Sequence, residues 1–221
     1  MTAAKSSSYA VLMGDIVGSE RAPSLKVVHK AFNRAVTDAN EVYADYIASP
    51  LTITLGDEFQ GLLISFASAW DAAVALRLEL LAAKIRCRFV VGIAKLETAL
   101  NRKAAWNMMG SGLAAAREKL NDKRTASAYQ FSFPDEPVVE VLLDAVGDAL
   151  TQGEEAWTPT QLDYYSKSRA STRRNTDVAK KLGISERVLY KVLHAGRTDA
   201  HRRQIQAIRK ALATLDESYF R

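Results

Sequence analysis

An α+β fold is predicted for the larger, N-terminal part of this chain, with a small all-α module after it. Three observations predict this. Apolar runs of strand length alternate with amphipathic helix-length segments in the order βαββαβ as far as Ile93, which argues for a sandwich with helices on one face of the sheet. Two Gly-Asp pairs, Gly14-Asp15 and Gly56-Asp57, follow the apolar runs of two of those strands. The charge then changes sign along the chain: residues 1–157 carry 16 Lys+Arg against 19 Asp+Glu, whereas residues 158–221 carry 14 against 6. An acidic body followed by a basic tail indicates a separate module with a polyanionic partner, DNA first. The predicted organisation is a leader at 1–8, an α/β domain at 9–155 and a helix-turn-helix domain at 156–221.

Residues 1–8 are small and polar and read as a disordered leader. Residues 9–13, YAVLM, form the first strand and deliver Gly14 and Asp15. After a loop at 16–22, apolar residues recur at Leu25, Val28, Phe32, Val36, Ala39, Tyr43 and Ile47. Steps of three and four predict one long helix, opened by Pro23 or Ser24 and ended by Ser49-Pro50. Residues 51–65, LTITLGDEFQGLLIS, read as a β-hairpin, because β-branched Thr52, Ile53 and Thr54 suit a strand and Gly56-Asp57 suits a tight turn. A second helix is predicted at 66–84, with Trp70, Ala73, Val74, Leu76, Leu80 and Leu81 on its apolar surface, then a strand at 86–93. An irregular polar stretch (95–107), a Gly-rich turn (110–112), a helix (113–120), a strand (128–133) and a helix (135–150) follow. Residues 151–155, with Gly153 and two acids, read as the domain boundary. Beyond it, helices are predicted at 158–167, 173–182, 186–194 and 199–218.

Composition excludes several classes. The hydrophobic fraction of 48% is that of a globular protein, and no apolar run approaches the roughly 20 residues of a membrane helix. Residues 1–8 lack the apolar core of a signal peptide, so a cytoplasmic protein without a membrane partner is expected. A single cysteine, Cys87, excludes an intramolecular disulfide and a cysteine-rich zinc site. It is read as a structural residue. His29 and His201 sit on predicted helices without metal-ligand spacing and are read as solvated or packed side chains.

Topology makes the two Gly-Asp pairs informative. If the first helix is a crossover, the strands before and after it run parallel, and their C-terminal ends lie at one edge of the sheet. Asp15 and Asp57 then face the same space. Two carboxylates suit Mg²⁺ (or Mn²⁺), which is held by one or two carboxylates together with substrate phosphates and water; Glu58 is a candidate third ligand. The loop Ile16, Val17, Gly18 and Ser19 offers backbone N–H groups to phosphate, helped by the helix N-terminus that follows. Arg117, Arg21 and Lys95 are the basic residues expected near that phosphate. Gly-Asp is also a common turn pair, so a purely structural role stays open for both.

In the basic module, DVAKKLGISERVLYKVLHAGR has the design of a helix-turn-helix. Ala179 permits close helix approach, Gly183 suits a left-handed helix stop and Ser185 suits a helix start. Val188, Leu189, Val192 and Leu193 are expected on one face of the second helix. Ser185 at its start and Glu186, Arg187, Tyr190, Lys191 and His194 on the other face are expected to enter a major groove. Arg173, Arg174, Arg197, Arg202 and Arg203 are expected to contact phosphates.

These residues also carry resemblances. GDIVGS and TLGDEFQGLL resemble the metal-binding core of class III nucleotidyl cyclases and the Gly-Gly-Asp-Glu-Phe hairpin of diguanylate cyclases, both of the palm-like, ferredoxin-like βαββαβ fold. The chain resembles the bacterial SatD family more closely, in MGDIVGS, SPLTITLGDEFQGLL, VVGIAKLET, the Gly-rich turn before AAAREKL and the terminal helix-turn-helix. The cyclase resemblance implies metal-binding roles for Asp15 and Asp57 and a transition-state role for Arg117. Ile53 and Leu113 stand where a cyclase has its base-reading lysine and transition-state asparagine, and Leu55 replaces the first glycine of the diguanylate cyclase hairpin. Those departures argue against an ordinary cyclase. The expected function is a DNA-binding regulator, a homodimer by the symmetry of operators, that senses a nucleotide or other phosphorylated ligand. The alternatives are a Mg²⁺-dependent nucleotidyl transferase, cyclase or phosphohydrolase located on DNA, and a palm domain serving only for dimerisation.

Overall fold

A computed structural model describes residues 7–19, 24–170 and 175–220. The chain divides into two compact units, 1–148 together with 208–221, and 149–207.

The first unit is a mixed α/β structure. Its elements are β1 (Ser7–Ile16), α1 (Leu25–Val42), a 3-10 turn (Ala44–Tyr46), β2 (Ile47–Ile53), β3 (Glu58–Leu63), α2 (Phe66–Ala82), β4 (Cys87–Leu96), β5 (Gly110–Ser111), α3 (Leu113–Asn121), β6 (Tyr129–Ser132) and the first part of α4 (Pro137–Glu155). The strand order is β2-β3-β1-β4-β5, and β6 pairs with β4. β1 is antiparallel to both β3 and β4, and β2 is antiparallel to β3. β2 therefore points the same way as β1, as the crossover argument requires, with β3 between them.

Alternation along the strands sorts side chains onto two faces. One face packs under α1 and α2 through a run of rings, Phe32 on Phe59, Phe59 on Phe89, Phe89 on Tyr129 and Tyr129 on Trp70. All five are at most 1% exposed; burying each side chain contributes about 1.5–3 kcal/mol. The other face carries Val11, Met13, Leu62, Val90, Ala94 and Leu96 against Leu113, Ala116 and Leu120 of α3. Helices thus cover both faces, not one as the βαββαβ order alone suggests, because α3, which follows that segment, packs on the face opposite α1 and α2.

Side chains bond backbone groups at two edges of the sheet. On β2, the Asn40 amide donates to Leu51 O and accepts from Leu51 N, both at 2.8 Å. On β6, Asp144 and Glu140 of α4 accept from the N–H groups of Phe131 and Phe133 at 2.8 and 2.6 Å, and Lys119 donates to Phe131 O and to both carboxylates. A cavity of about 1030 Å³ between α3, β6 and α4 is lined in part by Lys119, Glu140 and Asp144, which are occupied in joining α4 to the strand.

Several boundaries differ from the sequence reading, each for a physical reason. β1 runs through Gly14 and Asp15 to Ile16 rather than stopping at Met13. Gly14 is there because a Cβ would lie 2.3 Å from the Phe59 ring; it is a packing glycine, not a turn. Gly56, at φ +86°, is the turn residue. Helix α1 stops at Val42, and Tyr43 and Ile47, although in helical register, lie in the cap and in β2. Pro50 sits inside β2, where the ladder shifts register between Ser49 and Thr52, an edge position that tolerates a missing N–H. Ser7 and Ser8 belong to β1; the rest of the expected leader lies outside the described residues.

The basic half is helical, with α5 (Pro159–Ala170), α6 (Asn175–Leu182), α7 (Glu186–Ala195) and α8 (Thr198–Tyr219). Residues 151–155, read as a boundary, are the end of α4. Glu154 is buried there because it bonds His201 Nε2 at 2.9 Å, while His201 Nδ1 meets the Tyr165 hydroxyl at 2.8 Å. His201 is thus a core residue, and His29 is exposed. The other end of the basic half also differs, since 208–221 groups with the first unit. Asp216 accepts from the N–H groups of Phe66 and Ala67 at 2.6 and 3.2 Å, capping α2 beside Ser65. The rings of Tyr219 and Phe220 lie 5.8 and 4.7 Å from that of Phe66.

Candidate functional site

The end of β1 meets the β2–β3 turn. Ile16 N donates to Asp57 O at 2.9 Å, so Asp15 and Asp57 do share one edge. Asp57 Oδ2 accepts from the Ser19 hydroxyl at 2.6 Å. Asp15 continues the α3 face of β1 beyond Met13, opposite Glu58 on β3 and opposite Arg88 on β4. Arg88 Nη2 bonds Asp15 Oδ2 at 2.7 Å, with side chains 9% and 23% exposed. Arg117 Nη1 bonds Glu58 Oε1 at 2.9 Å, and its Nη2 donates to Gln60 Oε1 at 2.8 Å. Gln60 is oriented by its own donation to Ala105 O. The edge is a row of two facing carboxylates, Glu58 and Asp15, flanked by Arg117 on one side and Arg88 on the other, with Asp57 and Ser19 beside it.

The structure brings together Asp15, Asp57, Glu58, Ser19 and Arg117, and it corrects the parts assigned to others. Glu58 is 7% exposed, and its Oε1 is bonded by Arg117. The N–H groups of Ile16 and Val17 are spent on Asp57 O and Arg86 O at 2.9 and 2.8 Å. Of the loop, Gly18, at φ +69° with open space around it, and Ser19 remain for a ligand. Lys95 lies at the far end of β4, opposite Ser8, and pairs with Asp135 at 2.8 Å. Arg21, Arg173 and Arg174 lie outside the described residues. Leu113 is packed in the core of the α3 face. Leu55 is 73% exposed at the hairpin.

Sequence reasoning missed Arg88. An arginine in an apolar strand gives no spacing signal, and only strand register places it against Asp15. Its neighbour Cys87 is fully buried, and burial pushes the thiol far up, so it stays protonated.

The donors at this edge fit a divalent cation in chemistry. Each aspartate has one oxygen fixed by a second side chain, Arg88 for Asp15 and Ser19 for Asp57. The other oxygen of each is without a protein partner among the described residues. Carboxylates so oriented are what hard cations take. No group of three or more His, Cys, Asp or Glu side chains suited to a metal occurs among the described residues, so phosphate oxygens and water would have to complete the coordination.

The other candidate surface lies on α6 and α7. Ile184 N donates to Ala179 O and Gly183 N to Lys180 O, a Schellman stop with Gly183 at φ +68°. Ser185 then caps α7 by accepting from Val188 N. Val178, Ala179, Leu189 and Leu193 are buried. Ser185, Arg187, Tyr190, Lys191, His194 and Arg197 are exposed, and Glu186 is half-buried. Val188, expected on the packed face, is 44% exposed; it lies in the first turn of α7, as the third residue after the Ser185 cap. Arg202 turns inward, donating to Ser168 at 2.9 Å and lying over the Tyr165 ring.

Among solved structures, a bacterial light-regulated adenylyl cyclase aligns at 13% identity with a TM-score of 0.42, over 57% of this chain and 43% of that one. The guanylyl cyclase domain of the RhoGC fusion protein from the aquatic fungus Blastocladiella emersonii aligns at 16% identity and a TM-score of 0.40, over 57% and 79%. The guanylate cyclase domain of RhGC from Catenaria anguillulae, in complex with GTP, aligns at 18% and 0.36, over 57% and 78%. This chain thus spans less than half of the first of these proteins. No curated protein matches the sequence. The model of the SatD family matches residues 9–211, from the start of β1 into α8, and the chain belongs to that family.

Proposed function

We propose that this protein is a DNA-binding regulator, acting as a homodimer, whose α/β unit binds a nucleotide or other phosphorylated ligand through Mg²⁺ (or Mn²⁺) at Asp15 and Asp57. The observation that carries the DNA reading is the α6–turn–α7 pair. It has a glycine stop, a serine cap and a buried apolar side, and it leaves Arg187, Tyr190, Lys191 and His194 exposed on one helix. That is the design of a helix-turn-helix reader, in which the second helix presents polar side chains to base edges. Arg197, exposed just beyond α7, adds a cation for a phosphate.

The ligand reading rests on two carboxylates at one edge with orienting partners. A bound cation there would supply a charge for phosphate oxygens, and Ser19 and Arg117, bonded to Asp57 and to Glu58 and Gln60, lie at the same edge. The enzyme alternative is favoured by one observation, the arrival of Arg117 at this edge. Against it, Leu113 fills the place of an oriented donor with an apolar core residue.

Binding of the full chain to duplex DNA, measured by fluorescence anisotropy over a range of salt, tests the proposal. Affinity should fall steeply as salt rises, since cations on the protein release counterions from phosphates. Absence of any salt-dependent binding sinks the DNA reading. Turnover of a nucleoside triphosphate with Mg²⁺ would favour the enzyme.

A further inference from the structure

Two carboxylates and a phosphate accommodate one divalent ion or two, and two ions about 3.5–4 Å apart are what many phosphoryl-transfer sites use. Arg88 separates these cases. It faces Asp15 across the β1–β4 ladder, its side chain is 9% exposed, and Nη2 holds Asp15 Oδ2 at 2.7 Å. Nη1 lies 3.4 Å from Asp122 O, and Nε is buried with no partner among the described residues. The guanidinium is therefore held inside the sheet face, and it is always charged.

We propose that Arg88 serves as a built-in second cation, so that the Asp15–Asp57 edge takes one divalent ion and not two. This rests on the reading of those aspartates as cation ligands. A carboxylate that bridges two ions through its two oxygens needs both of them open, and Asp15 Oδ2 is already taken. The fixed positive charge repels a further dication in surroundings where screening by water is weak. Glu58, the carboxylate next in line, is occupied by Arg117. The result is a site that holds a phosphorylated ligand through a single ion and lacks a two-ion clamp on attacking and leaving oxygens. Such a site suits recognition of the ligand rather than its turnover.

Counting bound Mn²⁺ by electron paramagnetic resonance, on the full chain titrated with Mn²⁺ alone, tests the proposal. The wild type should saturate at one ion per chain, Asp15→Asn at none, and Arg88→Lys, which keeps the charge, at one. Arg88→Gln should saturate at two. Two ions on the wild type overturn the proposal whatever the variants do, as does a count that stays at one in Arg88→Gln while its thermal melt matches the wild type. No Mn²⁺ on the wild type overturns the cation reading of Asp15 and Asp57 itself, which separates that failure from the failure of Arg88. Should Arg88→Gln not fold, the wild-type count still decides against a two-ion site or for it.

Discussion

The β1 edge and the exposed side of α7 both concentrate charge, but they use it in opposite ways. At the edge, Asp15, Glu58, Arg88 and Arg117 hold one another at 2.7 and 2.9 Å in partly buried pairs. Each holds the other in place, an arrangement that lowers the ordering cost of binding a small ligand. On α7, Arg187, Lys191 and His194 stand exposed. They are free to follow a polyanion, and their interactions are screened by salt. Small differences in salt should therefore change the second region greatly and the first little.

The largest effect is expected where α7 is stripped of its cations. Arg187→Ala combined with Lys191→Ala should weaken DNA binding by about 100-fold, at about 1–3 kcal/mol for each base-reading side chain removed. Where either cation neutralises a phosphate instead, its removal makes the salt dependence shallower by about one unit of slope. Anisotropy titrations at several salt concentrations check both, and unchanged affinity would move the DNA-reading surface away from α7.

At the edge, the sharpest structural probe is Gly14→Ala. The new Cβ meets the Phe59 ring at 2.3 Å, and overpacking of this kind costs about 1–3 kcal/mol, read from urea unfolding. A variant as stable as the wild type would show that the ring moves aside freely.

Asp216→Ala removes a cap from α2 and should cost about 1 kcal/mol. Burial raises the Asp216 carboxyl above its ordinary 3.8, against the lowering effect of the N–H groups of Phe66 and Ala67. A raised folded value makes its contribution fullest below pH 3.8 and smaller as pH rises through that raised value. Thermal melts of the wild type and Asp216→Asn across the acid range should show the wild type losing its relative advantage as pH increases. A constant difference between the two would contradict this.

Much of the architecture was legible in the sequence because it is written in local patterns. Period-two and period-three-to-four apolar residues gave the alternation of strands and helices, and Gly56, Gly183 and Ser185 each marked a real turn or cap. Asp15 and Asp57 came together by topology, from a crossover rule and not from proximity in sequence. Misreadings arose where one residue satisfies two patterns. Tyr43 and Ile47 continue the spacing of α1, yet Ile47 starts a strand. Gly153 and its acidic neighbours read as a boundary, and they form the end of α4, where Glu154 is fixed by His201. Arg88 and the return of Asp216 to α2 were illegible, because each depends on a partner across the sheet or about 150 positions away.

The side chains bonded at the sheet edges bear on how this protein behaves in company. Asn40 on β2, and Asp144, Glu140 and Lys119 on β6, occupy backbone groups to which a foreign strand would otherwise bond. Open strand edges are templates for aggregation. These side chains block part of each edge against a foreign strand.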